Sequence, residues 1–367
     1  MKLILFPFSF LYGLVVRIRN ALFDQRILAS RSFDLPVILV GNLTAGGTGK
    51  TPHVEYLAGL LQGNYRIAVL SRGYRRRTRD FRMVDPQAGS SEVGDEPLQI
   101  KRKYPEIMVA VDRRRVHGVE ELMKVPPPPE CILLDDAYQH RSIAAGCSIL
   151  LIDYRRPPEK DFLLPAGRLR EPALEQKRAD IIVVTRSPRD LKSEGRSEFV
   201  SGRHLEPDQH LYFTCMRYGS PRALFRDLLK GPASPELQTS GVLIVTGVAG
   251  KNALTDYAEK LTPNIREIRF RDHHHYRQKD AQRIFSTFLK MKKDCQGEVI
   301  VLTTEKDEVK IRELDLCDEL KSVMFAVPLE VQFLFSDKED FDKQILSYVT
   351  GNKRSSILHK EKDSDHS

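Results

Sequence analysis

Short uninterrupted apolar runs punctuate the first half of the chain at Val37–Val40, Ile67–Leu70, Ile107–Val111, Cys131–Leu134, Ile149–Ile152 and Ile181–Val184. Runs this short, without the polar alternation of a half-exposed strand, predict strands buried on both faces, as in parallel sheets. Between several of them the spacing turns helical, as in Glu96–Lys103 and Arg114–Lys124. Strands alternating with helices predict a doubly wound, mostly parallel sheet, and such sheets bind ligands at the carboxyl ends of their strands. A second alternating series follows residue 240: strand Val242–Val245, helix Ala253–Leu261, strand Ile265–Phe270, helix Gln278–Met291, strand Val299–Leu302 and helix Asp307–Glu313. The polar stretch 186–240, interrupted by Leu211–Met216, reads as a domain junction. Met324–Phe333 predicts one further strand, Phe341–Val349 a terminal helix, and the charged, aperiodic residues 353–367 a disordered tail.

The first 28 residues follow neither pattern. Leu3 to Val16 carry no charge, and Arg17, Arg19 and Arg26 follow. The uncharged run is shorter than the ~18 to 20 residues that a membrane-spanning helix requires. Lys2 before an apolar stretch fits the opening of a secretory signal, yet arginines close the run and no small-residue cleavage site follows. A helix lying in the membrane interface fits better, and the same helix can dock on its own domain. The expected organisation is a membrane-associated helix at 1–28, an α/β domain at 29–205, a second, smaller α/β domain with linker strands at 206–335, a helix at 336–352 and a tail at 353–367. Composition agrees: 367 residues, 41% of them hydrophobic, suffice for two packed cores. The net charge of +8 calls for an anionic partner, and nucleic acid, acidic phospholipid and a phosphorylated substrate all satisfy it. Cys131, Cys147, Cys215, Cys295 and Cys317 are odd in number and lack a C-x-x-C pair. They predict neither a disulfide framework nor a zinc site, and are expected as small buried hydrophobes.

Chemistry enters where the first strand ends. Val37–Val40 runs into Gly41-Asn42-Leu43-Thr44-Ala45-Gly46-Gly47-Thr48-Gly49-Lys50-Thr51-Pro52, and helical spacing resumes from His53. Strand, glycine-rich turn and helix form the setting of a phosphate loop. Gly46, Gly47, Thr48 and Gly49 let backbone N–H groups converge on phosphate oxygens, Lys50 adds a cation, and the Thr51 hydroxyl can ligate Mg²⁺. Thr44 stands where the usual G-x-x-x-x-G-K-[ST] pattern has its first glycine, so the loop is a variant. After the fourth strand come Asp135 and Asp136, and a carboxylate ending a strand downstream of a phosphate loop is the Walker B arrangement. Because side chains alternate along a strand, the two carboxylates have different tasks.

Other segments at strand ends carry weaker signals. Ser71–Arg77 and Leu164–Pro172, with Arg168 and Arg170, suit phosphate or carboxylate binding, against which stand solvated loops and ordinary ion pairs. Asp95 and Glu96 precede a helix and read first as caps or dipole partners. The loop Thr246–Asn252 resembles a phosphate loop superficially, but Asn252 follows Lys251 and no nucleotide is expected there. His273, His274 and His275 are consecutive and cannot all face one metal, so one histidine paired with a carboxylate as a general base is expected in place of zinc. Lys306 either touches phosphate or balances Glu305.

Taken in order, Gly41-Asn42-Leu43-Thr44 with Gly46–Pro52, Ser71-Arg72-Gly73-Tyr74, Gly94-Asp95-Glu96-Pro97, Asp135-Asp136-Ala137-Tyr138-Gln139-His140, Leu164–Pro172, Asp272-His273-His274 and Thr304-Glu305-Lys306-Asp307 resemble the tetraacyldisaccharide 4'-kinase family, from the N-terminal helix to about residue 335. The resemblance implies a P-loop-containing doubly wound, mostly parallel sheet with a second, smaller α/β domain. It implies Mg²⁺-dependent transfer of the ATP γ-phosphoryl group to the 4'-hydroxyl of a tetraacyldisaccharide 1-phosphate, a lipid A precursor, at the cytoplasmic face of a Gram-negative inner membrane. Asp95 is then the catalytic carboxylate, with a charged His273 as its partner from the other domain and His274 as the alternative; closure of the domains would precede chemistry. Lys50 and Asp136 join the catalytic set, Thr51 and Asp135 the metal, and Tyr74, Arg115 and Arg168 the lipid headgroup. A monomer without a nucleic-acid partner is expected. Ala137-Tyr138 departs from the family's Gly-Phe, and Thr44 matches the family's own loop. The alternative is a P-loop NTPase switch or metallochaperone, for which neither a Cys/His metal motif nor an Asn-Lys-x-Asp segment is present.

Overall fold

The computed structural model of the chain describes residues 2–201, 203, 205–228, 239–247 and 253–364. The chain divides into two compact units, the first comprising Met1–Ala88, Ile100–Met216 and Val331–Ser367, the second Gly89–Gln99 and Arg217–Glu330.

The first unit is built on a sheet of nine strands among the described residues, in the order Leu329–Phe333, His210–Tyr218, Ile181–Thr185, Cys147–Asp153, Val37–Gly41, Cys131–Asp135, Ile67–Ser71, Met108–Val111 and Arg82–Met83. Val37–Gly41 lies parallel to both neighbours, with Val40 in register with Asp135. The loops after these two adjacent strands therefore emerge side by side at the carboxyl edge, where ligands of such sheets bind. All residues of Val37–Gly41, Ile67–Ser71, Cys131–Asp135 and Ile181–Thr185 are buried, which explains why the sequence shows unbroken apolar runs there. Gly41 is required by close approach: a Cβ on it would lie 2.6 Å from the Tyr138 Cβ.

The N-terminal helix, Lys2–Asp24, turns the usual amphipathic logic round. Its buried stripe is Ser9, Gly13, Val16 and Asn20, small or polar at helical spacing, while Phe8, Phe10, Leu11, Val15 and Ile18 are exposed. Ser9 Oγ donates to Leu163 O at 3.0 Å, Tyr12 Oη to Arg170 O at 2.8 Å, and Asn20 Nδ2 to Glu171 at 3.2 Å. The helix thus docks on its own unit through polar contacts. Ile4–Asp24, 21 residues, is long and apolar enough to cross a membrane by length and composition, longer than the uncharged run alone suggested because the helix continues past Arg17 and Arg19.

The second unit holds a five-stranded sheet among the described residues, ordered Ile265–Arg269, Gly241–Thr246, Val299–Thr304, Met324–Val327 and Arg222–Ala223, the last antiparallel. Ile284, Phe288 and Met291, on one face of helix Gln278–Cys295, pack into its core.

Four expectations are corrected. Met324–Phe333 is two strands in different sheets, because Pro328 cannot donate to a ladder and interrupts the run. Leu211–Met216 lies within strand His210–Tyr218, parallel to Ile181–Thr185, so the expected junction contributes to the first sheet. Residues 89–99 belong with the second unit, where the Ser90 N–H donates to Glu313 at 2.7 Å, so Asp95 and His273 share one unit. The terminal helix continues to Ser364, since neither proline nor glycine follows Gly351, and residues 365–367 lie outside the described residues. Residues 248–252 of the second glycine-containing loop also lie outside them. Cys131, Cys147 and Cys215 are buried as expected, whereas Cys317 is exposed.

Candidate active site

In the first unit, Gly46 and Gly49 adopt positive φ angles of 122° and 86°, the conformation glycine reaches without steric cost. Nothing lies within 4 Å of a Cβ placed on Gly46, so the turn is open on that side. Thr44 has no positive φ and bridges Leu169 as a short antiparallel pair, so this position of the loop does not need glycine. The segment after it is held as well: Ala45 N–H donates to Arg168 O and Arg170 N–H to Leu43 O, both at 2.7 Å. Asn42 braces the turn from within, Nδ2 donating to Thr48 Oγ1 at 2.9 Å and Oδ1 accepting from Lys50 Nζ at 3.4 Å. His53 lies under the loop, its Nδ1–H donating to Gly49 O at 2.8 Å and Nε2 facing Thr214 Oγ1 at 3.1 Å. Burial pushes this imidazole down to about 4 against the pull of the Gly49 bond, so it is neutral near pH 7.

The two carboxylates of the adjacent strand end diverge. Asp135 is buried and accepts from Ser71 Oγ at 2.9 Å. Asp136 leaves the strand at φ 48° and meets Lys50 Nζ at 3.5 Å and Arg170 Nη1 at 3.1 Å. Burial raises the Asp136 carboxyl, but Lys50, Arg170 and Arg115 outweigh it and hold the group below its ordinary range. Hydroxyl and carboxylate oxygens are the donors a hard cation such as Mg²⁺ takes, and an open glycine turn with a lysine at a helix N-terminus suits a polyphosphate, so the residues fit both.

In the second unit, Asp95 begins the helix Asp95–Lys103. Its Oδ2 receives two bonds, from His273 Nδ1 at 3.2 Å and from Lys310 Nζ at 3.0 Å. Lys306 Nζ stands 3.2 Å from His273 Nε2. An ammonium only donates, so Nε2 is the acceptor and the ring proton sits on Nδ1, directed at Asp95. Burial pushes the Asp95 carboxyl up, and the bonds from His273 and Lys310 overcome it, leaving the group below its ordinary value. The remaining histidines face elsewhere: His274 Nε2 contacts Asp280 at 3.0 Å and its ring stacks on Phe270, while His275 is exposed. Asp307, from the same Thr-Glu-Lys-Asp segment as Lys306, accepts from Gly247 N–H and Tyr276 Oη and ties the strand ends together.

Of the residues expected at the headgroup, Tyr74 is exposed with Arg75 over its ring, and Arg168 is exposed. Arg115 is corrected. It is 1% exposed, with Nη1 donating to Asp112 O and Nη2 to Asp135 O, both at 2.7 Å, so it ties two strand ends instead of meeting a ligand. Burial lowers its guanidinium to about 10 against the attraction of Asp135 and Asp136. Sequence reading missed Asn42, His53 and Lys310. The first two had a signal, an amide two residues past the strand and a histidine one helical turn after Gly49; Lys310 had none.

The match to known proteins covers both sites. The model of the Tetraacyldisaccharide-1-P 4'-kinase family matches residues 1–350. The chain is 43% identical over 366 residues to the tetraacyldisaccharide 4'-kinase of Bacteroides fragilis, spanning 98% of this chain and 96% of that one. It is 39% identical over 352 residues to the enzyme of the same name from Flavobacterium johnsoniae, spanning 96% and 98%. In structure it is similar to an "apo" form LpxK from Aquifex aeolicus crystallised in complex with ATP, with a TM-score of 0.71 and 27% identity over 95% of this chain and 99% of that one. An open glycine turn with its lysine and a half-buried carboxylate–histidine pair, carried within a likeness that runs almost from end to end, lead to one conclusion: this chain belongs to the tetraacyldisaccharide-1-phosphate 4'-kinase family.

Proposed function

We propose that the protein is a lipid kinase that transfers the γ-phosphoryl group of ATP to the 4'-hydroxyl of a tetraacyldisaccharide 1-phosphate, the precursor of lipid A. The observation that carries the reading is the state of Asp95: two donors occupy Oδ2, and no described residue bonds Oδ1, which leaves it to accept the proton of an alcohol. In the transfer the acceptor oxygen bonds to the γ-phosphorus, the bond to the β-phosphate oxygen breaks, and Asp95 takes the hydroxyl proton late, as suits a weak base. Lys50 and the backbone N–H groups of Gly46–Thr51 bind the phosphates, and Lys50 faces the charge that builds on the transferring group. Asp136 keeps Lys50 in place with Arg170 on its other side. Thr51 and Asp135 would hold Mg²⁺, which when bound neutralises phosphate charge. Tyr74 and Arg168 remain the residues offered to the lipid headgroup.

The test is direct. Incubated with γ-labelled ATP, Mg²⁺ and the disaccharide 1-phosphate in micelles, the protein should yield a labelled 4'-monoester. Label released only as inorganic phosphate would instead support an NTPase switch.

The N-terminal helix is proposed to lie against the cytoplasmic face of the inner membrane, because its apolar residues point away from the polar stripe that docks it. Replacing Phe8 and Phe10 by Gln removes about 1.5 kcal/mol of insertion each, together about 3 kcal/mol, and should weaken binding to anionic vesicles on the order of 100-fold. Unchanged binding would mean that another surface makes the attachment.

A further inference from the structure

We propose that Lys310 is a positioning residue for the transfer reaction: its ammonium holds one oxygen of Asp95 so that the other is presented to the acceptor hydroxyl as a carboxylate. The inference rests on the reading of Asp95 as the group that meets the acceptor.

Lys310 belongs to the helix Glu305–Ile311, far from Asp95 in sequence, and is 5% exposed. Its Nζ lies 3.0 Å from Asp95 Oδ2 and 5.9 Å from the centre of the Tyr276 ring. A buried ion pair is a poor device for stability, since an apolar pair of similar volume is commonly as stable or more so. The pairing therefore calls for another reason, and its geometry supplies one.

The other charged and titratable groups around Asp95 are engaged elsewhere. On its own helix, Glu96 faces Lys306 at 3.9 Å. From the loop after strand Ile265–Arg269, Asp272 also pairs with Lys306, at 3.1 Å, and Tyr276 Oη donates to Asp307. Lys306 itself is turned to Asp272 and to His273 Nε2. That leaves His273 and Lys310 as the groups that bond Asp95, both on Oδ2. Of these, Lys310 brings the full positive charge. A half-buried carboxyl without such a neighbour takes up a proton at higher pH, and a protonated Asp95 can no longer receive one from the acceptor.

The experiment compares K310Q, K310M and K310R with the wild type, following label transfer against pH. K310Q and K310M should move the acid limb of kcat/KM upward by about one pH unit. K310R keeps the cation and should retain the wild-type profile. In K310Q, kcat should fall with KM for ATP within about twofold of the wild type, the pattern of an interaction felt in the transition state. A merely structural lysine would lower the active fraction without moving the limb. An acid limb unchanged in both K310Q and K310M overturns the proposal. D95N, run in parallel, separates the two layers: if D95N transfers like the wild type, the reading of Asp95 has failed; if D95N is inactive and the limb of K310Q is unmoved, only the role of Lys310 has failed.

Discussion

Asp95→Asn is expected to slow phosphoryl transfer by about 10²- to 10⁴-fold, the usual worth of a positioned general base, while Mg·ATP binds as in the wild type. Asparagine is the informative substitution because its carbonyl oxygen can still accept from His273 Nδ1 and Lys310 Nζ, which meet a single oxygen of Asp95. The packing is retained, and what is lost is the capacity to take a proton; an amide NH₂ also stands where an acceptor should be. Asp95→Ala is a poorer test. It strands the buried ammonium of Lys310 without its carboxylate, at a cost of about 3 to 5 kcal/mol for a broken buried pair, and loss of activity could then follow from loss of fold. Single-turnover transfer with saturating nucleotide is the measurement. A rate within about threefold of the wild type would remove Asp95 from the chemistry.

Lys50→Ala should cost on the order of 10³-fold in the same assay, about 4 kcal/mol, as expected for a donor aimed at developing charge. The local structure should survive. Lys50 makes long contacts, 3.4 Å to Asn42 and 3.5 Å to Asp136, whereas Asp136 keeps Arg170 at 3.1 Å and Asn42 keeps Thr48 at 2.9 Å. If the rate at saturating ATP were intact and only KM rose, Lys50 would contribute binding energy common to ground and transition states, and its catalytic assignment would fail.

Much of this was legible in the residue order, for a specific reason in each case. The inner strands of the first sheet, such as Val37–Gly41, Ile67–Ser71, Cys131–Asp135 and Ile181–Thr185, are buried on both faces, so their apolar runs are unbroken and their positions readable. The phosphate turn is a contiguous segment whose chemistry depends on backbone N–H groups, glycines and one lysine, all close in sequence. Strand alternation predicted that Asp135 and Asp136 differ, and they do, but because Asp136 already lies past the strand at φ 48°. Pro328 was visible too, yet its consequence was missed, because nothing local tells that the residues on its two sides enter different sheets. Arg115 was placed at the lipid headgroup by the family resemblance. Its burial depends on two carbonyls that the fold delivers, one of them 20 residues away at the end of strand Cys131–Asp135, two places along the sheet from Met108–Val111.

Local patterning, then, determined by itself most of the strands and helices and the strand, glycine turn and helix that carry Lys50, since both follow from contacts within a few residues. Tertiary structure alone decided the company each charge keeps. Asp95 and Lys310 are separated by 215 residues, and only the packing of helix Glu305–Ile311 and the loop after Ile265–Arg269 around the start of helix Asp95–Lys103 makes them neighbours. The physical reason is that hydrophobic periodicity records which face of an element avoids water, while a charged residue has the same polar signature whether its partner is solvent, a carbonyl or a carboxylate.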